Sequence, residues 1–340
     1  MTVTWQIGPA TCTVRPRSVV AWLGLLGAIV LTALATLTAG PLGIPLADLP
    51  SALTGDARGA TAFVLGRLRG PRLATALLAG FLFGISGSLF QTVTRNPLGS
   101  PDVIGLGPGA GAGAALCSLA VPTVPSVVGA VLGAACATLA VFVATGTGFR
   151  SPARTILAGI GVAALANACT EYLVSTRFRD GAAQMAQYLT GSLNARSMVD
   201  VAVASASLAV LLPAALLVGP AVSLLELGAD QVSSLGTSPD RVRTVAVVIA
   251  VLAAGTAVAV TGPIAFVALT APQIARRLTR QPGVGVLGAG LTGALVLSTA
   301  DLAAQQAPLV ADLPVGVLTL AVGGLYLGWL LVRERREGNP

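Results

Sequence analysis

Seven stretches of the chain carry no charged residue: 18–47, 73–94, 103–149, 201–225, 244–275, 281–300 and 313–332. Each is long enough for a helix of roughly 20 residues to cross the hydrocarbon core of a bilayer, and the longest have room for two. Apolar residues run continuously through them. The alternation in segments of about ten residues that marks a membrane barrel is absent. Gly, Pro and Arg punctuation divides the runs into nine predicted spans, at about 19–40, 72–91, 101–121, 124–145, 199–219, 243–261, 263–277, 283–301 and 313–332, and a tenth lies outside them at about 155–175, with Glu171 near its end. Gly262-Pro263 cuts one run into pieces shorter than a full span, which a broken helix tolerates where neighbouring protein shields the freed backbone groups. The expected fold is an all-α polytopic membrane protein of about ten transmembrane helices. A short tail, 1–18, precedes a transmembrane domain at 19–332, and a second tail, 333–340, follows it.

Composition agrees with the pattern. Of 340 residues, 54% are hydrophobic and 10% charged, against about 25% charged in a soluble domain. The net charge of +7 is carried entirely by arginine. These arginines flank apolar runs rather than forming a stripe, so lipid headgroups and membrane topology account for them, and no nucleic-acid partner is expected. With ten spans both termini share one side. That side collects Arg15, Arg17, Arg95, Arg150, Arg154, Arg241, Arg243, Arg276, Arg277, Arg280, Arg333, Arg335 and Arg336, against seven arginines opposite. The positive-inside rule then puts both termini in the cytoplasm.

Several chemistries are excluded. Without a lysine there is no Walker A lysine, so the chain is not itself a P-loop ATPase. With no histidine and no CxxC pair among Cys12, Cys117, Cys136 and Cys169, the usual transition-metal ligand sets are missing, and the cysteines read as small packing residues. No nucleophile, base and metal can be assembled, so no catalytic residue is expected. Asp102, Glu171 and Asp301 are the only acids inside predicted spans, each close to an end. A mid-membrane acidic relay of the kind proton-coupled carriers use is therefore not visible.

The stretch "RNPLGSPDVIGLGPGAGAGA", residues 95–114, meets the dinucleotide fingerprint only in its looser form ending in Ala, and it lies in an apolar span. Gly105, Gly109 and Gly113 recur every four residues, the spacing that lets membrane helices approach backbone to backbone. One polar insertion is longer than a connection needs: "LLELGADQVSSLGTSPDRVR", residues 224–243. It reads as a short amphipathic helix from Leu224 to Leu235, a stop at Gly236, and Ser238-Pro239 opening the next helix. Such a module on the cytoplasmic side suits a docking partner. On the other side Arg69-Gly70-Pro71-Arg72 runs against the positive-inside trend, and arginine forks match carboxylates.

These segments, with "TGPIAFVALTAPQIARRL" and "LPVGVLTLAVGGLYLGWLL", resemble the FecCD-type permeases, the membrane subunits of ATP-driven (ABC) importers for ferric siderophores, haem and cobalamin. "RNPLGSPDVIG", "IAFVALTAPQIARRL" and the stretch from 301 to 327 are most similar to the second permease subunit of ferric-enterobactin systems. The resemblance implies a type II importer permease in the bacterial cytoplasmic membrane. Its partners would be two cytoplasmic ATP-binding subunits, a sister permease and an extracytoplasmic siderophore-binding protein. A heterodimer is favoured over a homodimer. ATP would be used by the partner, no cofactor would be bound directly, and the iron would stay wrapped in its chelate.

By the same resemblance Glu226, Leu227, Gly228, Ala229, Leu235 and Gly236, in a coupling segment at 224–240, seat in the ATPase. Arg69 and Arg72 meet acids of the binding protein. Asn96 and Leu98, with Ser151 and Pro152, form a cytoplasmic gate, and Gly105 and Gly109 border the translocation path. Three departures stand out: Gly70 replaces a Leu, Gln273 replaces a His, and Gln305 stands where some members carry an outer arginine. Haem or cobalamin import is the alternative within the family, and a secondary carrier is the alternative outside it.

Overall fold

A computed structural model describes residues 3–7, 10–14, 16–121, 123–146, 152–177, 190–234, 236, 238–281, 283–307 and 313–337. A hairpin of two antiparallel strands, β1 (Val3–Ile7) and β2 (Ala10–Val14), precedes the helices. Helix α1 (Pro16–Thr38) opens on a proline, whose missing N–H costs nothing in a first turn. Two short helices follow, α2 (Leu49–Thr54) and α3 (Gly59–Phe63). A π-helical turn, Val64–Arg69, then leads into α4 (Gly70–Thr94). Next come α5 (Leu106–Ala120), α6 (Ser126–Thr145), α7 (Pro152–Arg177) and α8 (Met198–Leu224). The chain closes with α9 (Ala229–Ser234), α10 (Pro239–Thr261), α11 (Val267–Thr279), α12 (Val286–Gln306) and α13 (Val315–Glu337).

All ten predicted spans are helical, but they are not equal. Seven helices among the described residues are long and apolar enough to cross a membrane by length and composition. The span expected at 101–121 breaks into a 3₁₀ turn, Pro101–Ile104, and a 15-residue α5, because Gly105 takes a left-handed conformation between them. The Gly262-Pro263 break leaves α11 with 13 residues, and its first cap, Phe266, sits at φ 70°. The amphipathic helix expected from Leu224 to Leu235 is also broken. Helix α8 runs to Leu224, a 3₁₀ turn covers Leu225–Leu227, and Gly228 at φ 116° turns the chain into α9.

Helix α4 is the spine. Leu82, Phe83, Ile85 and Leu89 are fully buried in it. A Cβ on Gly80 or Gly84 would strike the α12 backbone, and one on Gly87 would strike Ala268 O of α11. Only glycine lets three helix backbones come this close. Helix α10 closes the other flank with buried Ala250, Ala253, Ala254 and Ala257. Helices α1, α7 and α8 instead turn large apolar side chains outward, such as Leu31, Leu165 and Leu217. In water that would be a liability, whereas in a bilayer the hydrocarbon solvates them. Arg17 donates to Leu278 O, so α1 begins where α4 and α11 end. That end of the bundle is called proximal below, and the opposite end distal.

Candidate functional sites at the two ends of the bundle

The distal end holds the arginine pair, each in internal use. Arg69 ends the π turn with its guanidinium buried, donating to Thr36 O (2.6 Å) and Leu37 O (3.2 Å) at the C-terminus of α1. Those carbonyls have no partner within their own helix and carry partial negative charge, so a cation suits them. Arg72 grips Asp301 of α12: Nε lies 3.0 Å from both carboxylate oxygens and Nη2 lies 2.7 Å from Oδ1. Its Nη1 donates to Asn194 Oδ1 (2.6 Å), and Gln305 Nε2 donates to Asp301 Oδ2 (2.7 Å). Asp301 is 1% exposed. Arg69 is thus largely buried against α1, and Arg72, partly exposed, already holds a carboxylate of its own chain.

A cleft of about 430 Å³ opens above this network, lined by Arg67, Arg69, Arg72, Asn194, Arg196 and Gln305 among others. Arg67 is exposed at its rim. Arg196 donates to Val260 O (2.9 Å) and Asn194 O (3.2 Å) and remains half-buried. Among the described residues the cleft lining holds four arginines and no acid. Arg67 and Arg196 were not singled out in the sequence, although both belong to the minority of arginines on that side.

The proximal end brings most of the other expected residues together. Helix α4 ends on Arg95 at φ 49°, which turns the chain into the 95–99 loop. Asn96 Oδ1 accepts from Leu98 N (2.9 Å), an Asx turn that shapes the loop. Asn96 and Leu98 share a cavity of about 50 Å³ with Thr155 and Ile156 in the first turns of α7. Pro152 opens that helix, with no description of its side chain, and Ser151 lies outside the described residues. A second cleft, about 240 Å³, gathers Gln91, Thr92, Arg95, Asn96, Pro97, Glu226 and Arg276. Arg95 donates to Leu225 O and so ties the loop to the segment after α8. Glu226 and Leu227 stand exposed, Gly228 is half-buried and Gly236 is exposed. Leu235 lies outside the described residues, and Ala229 opens α9.

Gly105 and Gly109 lie in close helix contacts, as their spacing suggests. A Cβ on Gly105 would meet Ala163 N and Gly159 O of α7, and one on Gly109 would meet Ala137 of α6 and Gly133 O. Gly113 faces Gly129 and Gly133 in the same way. The spacing serves backbone contact between helices of one subunit, and both residues are buried in it. Among the described residues no cluster of three or more His, Cys, Asp or Glu comes together that could hold a metal ion.

The sequence profile of the FecCD transport family matches residues 19–333. The chain belongs to that family. Among FecCD relatives, the ferric enterobactin transport system permease of Escherichia coli K12 is 35% identical over 95% of this chain and 99% of its own length. The Fe(3+) dicitrate permease of the same organism is 34% identical over 80% of this chain and 86% of its own. The hemin transport permease of Yersinia pestis is 30% identical over 95% and 98%. The chain of a solved inward-facing metal-chelate type ABC transporter superimposes with a TM-score of 0.75 at 22% identity, covering 92% of this chain and 98% of that one. The fold is therefore that of a type II importer permease.

Proposed function

We propose that this FecCD chain is one membrane half of an ATP-driven importer that carries a ferric siderophore of the catecholate, enterobactin-like class across the bacterial cytoplasmic membrane. The observation that carries the reading is the 35% identity to the ferric enterobactin permease over nearly the whole of both chains. The proximal end faces the cytoplasm, with both termini there. Glu226, Leu227, Gly228, Ala229, Leu235 and Gly236 seat in one of two ATPase subunits, and Asn96, Leu98, Ser151 and Pro152 form the gate above them. A sister permease completes the path, as a heterodimer. The siderophore-binding protein sits on the distal face.

The geometry reshapes one part of this scheme. Because Arg69 is buried and Arg72 is held by Asp301, the exposed cation this cleft offers to an acidic lobe of the binding protein is Arg67, backed by Arg196. The iron remains inside its chelate throughout, which fits a lining built for shape and charge rather than ligation.

The test is uptake into proteoliposomes containing this chain, its sister permease and the ATPase, with binding protein outside and ATP inside. Radiolabelled ferric enterobactin, ferric citrate and haem are offered separately. Concentrative uptake of the catecholate complex alone supports the reading; uptake of haem or citrate instead replaces the substrate. The Glu226→Arg, Gly228→Trp double variant is expected to abolish both assembly with the ATPase and uptake. A chain that transports without the ATPase would be a secondary carrier and would overturn the proposal.

A further inference from the structure

The sequence leaves Gln273 as an unexplained departure from the family pattern, and the structure shows it at the centre of a hydrogen-bonded relay. Gln91, in the last turns of α4, is 2% exposed. Its Oε1 accepts from Gln273 Nε2 (2.8 Å) and from Arg276 Nη2 (3.0 Å), both on α11. Its Nε2 donates to Leu269 O (2.9 Å) on the same helix. Arginine has no acceptor, so the atom of Gln91 facing it must be the oxygen, and this orients the whole chain of amides. Gln273 Nε2 also donates to Pro97 O (3.0 Å) in the gate loop, whose Asn96 N donates to Gln91 O (3.1 Å).

The coupling segment enters this relay twice. Arg95 reaches Leu225 O, and Glu226 shares a cleft with Arg276. Arg276 Nε is buried and donates to no group among the described residues, so that guanidinium has a donor to spare if the segment shifts. Helix α11 can move as a rod because the Gly262-Pro263 break and Phe266 at φ 70° separate it from α10. Helix α4 is fixed through Gly80 and Gly84 against α12, and its glycine contact with α11, at Gly87, lies one turn from Gln91.

We propose that Gln91 is the pivot through which the coupling segment moves the gate loop. The rod formed by α11 swings about it, with Gln273 and Arg276 as the two contacts that carry the motion to Pro97. In this role Gln91, Gln273 and Arg276 are positioning residues and touch neither cargo nor nucleotide. The inference rests on the importer reading, since it needs a partner to move the coupling segment.

Hydrogen–deuterium exchange on the assembled complex, nucleotide-free against vanadate-trapped, tests it. In the parent complex both the 225–234 segment and the 95–99 loop should change protection on trapping. Gln91→Leu keeps the bulk but removes the acceptor that Gln273 and Arg276 share and the donor to Leu269 O; the 225–234 response should persist while the loop response falls about tenfold. Gln91→Glu keeps both acceptor contacts and should restore the loop response, an order that a purely packing role would reverse. If Gln91→Leu fails to assemble, the half-buried Gln273→Met should give the same uncoupling. The pivot is overturned if the loop ignores nucleotide in the parent complex, or if it responds fully in both Gln91→Leu and Gln273→Met. If the parent chain never binds an ATPase, the importer reading itself falls, an outcome visible before any variant is made.

Discussion

At its distal end α4 is tied to α12 by a buried ion pair, Arg72 to Asp301, with Asn194 and Gln305 completing the hydrogen bonds. At its proximal end it is tied to α11 by amides, Gln91 to Gln273, with a single arginine donating into the pair. Each network has one buried member at its centre, Asp301 and Gln91, yet their energetics differ. Separating a buried pair leaves a charge that neither protein nor lipid can solvate, which makes it close to all-or-none. An amide hydrogen bond contributes about 1 kcal/mol net and can be exchanged for another donor or for water at the interface. One helix is thus clamped where it faces one compartment and jointed where it faces the other.

The sharpest way to break this comparison is at the clamp. Asp301→Leu should cost about 3 kcal/mol of unfolding free energy in detergent, by stranding Arg72. The Asp301→Leu, Arg72→Leu double variant should regain most of that loss. If the double is as unstable as the single, the pair is not the clamp. Between the two ends, Gly87→Leu should cost about 2 kcal/mol by forcing α4 off α11. Gly24→Leu in α1, where a Cβ meets only open space, should leave the thermal midpoint unchanged and serves as its control. At the joint, Gln91→Leu should cost only about 1–2 kcal/mol, smaller than the clamp variant despite similar burial. Smallest in stability is Arg67→Glu, exposed at the distal cleft. Its melting should match the parent, while binding-protein affinity falls about tenfold and loses part of its salt dependence.

The two ends were not equally legible in the sequence. Uncharged runs located every span but that of α7, which carries Glu171, because a bilayer admits few other patterns. Segment ends were less visible, since Gly105, Gly228 and Phe266 act through backbone angles that hydropathy does not encode. The glycines of α5 were recognised by their four-residue spacing. The more consequential glycines of α4, at 80, 84 and 87, were passed over although their spacing is similar. At the distal end the adjacency of Arg69 and Arg72 suggested a joint outward role. The partner of Arg72 inside the chain is Asp301, 229 residues away, which pattern alone cannot bring near. Gln273 was noticed only as a missing histidine, because its partner Gln91 lies 182 residues earlier. The residues proposed for coupling and gating were named by resemblance, and most of those the structure describes gather at one end.

The central claim is that nucleotide-driven movement is concentrated at the jointed end, and paired spin labels measure it directly. With Cys12, Cys117, Cys136 and Cys169 replaced by alanine, one pair at Leu68 and Ala303 spans α12 and the π turn that leads into α4, at the distal end. A second pair at Leu227 and Leu278 spans the coupling segment and α11 proximally. All four positions are exposed. On vanadate trapping of the assembled complex, the proximal distance distribution should shift by several ångströms while the distal one stays in place. A distal shift as large as the proximal one would contradict the account.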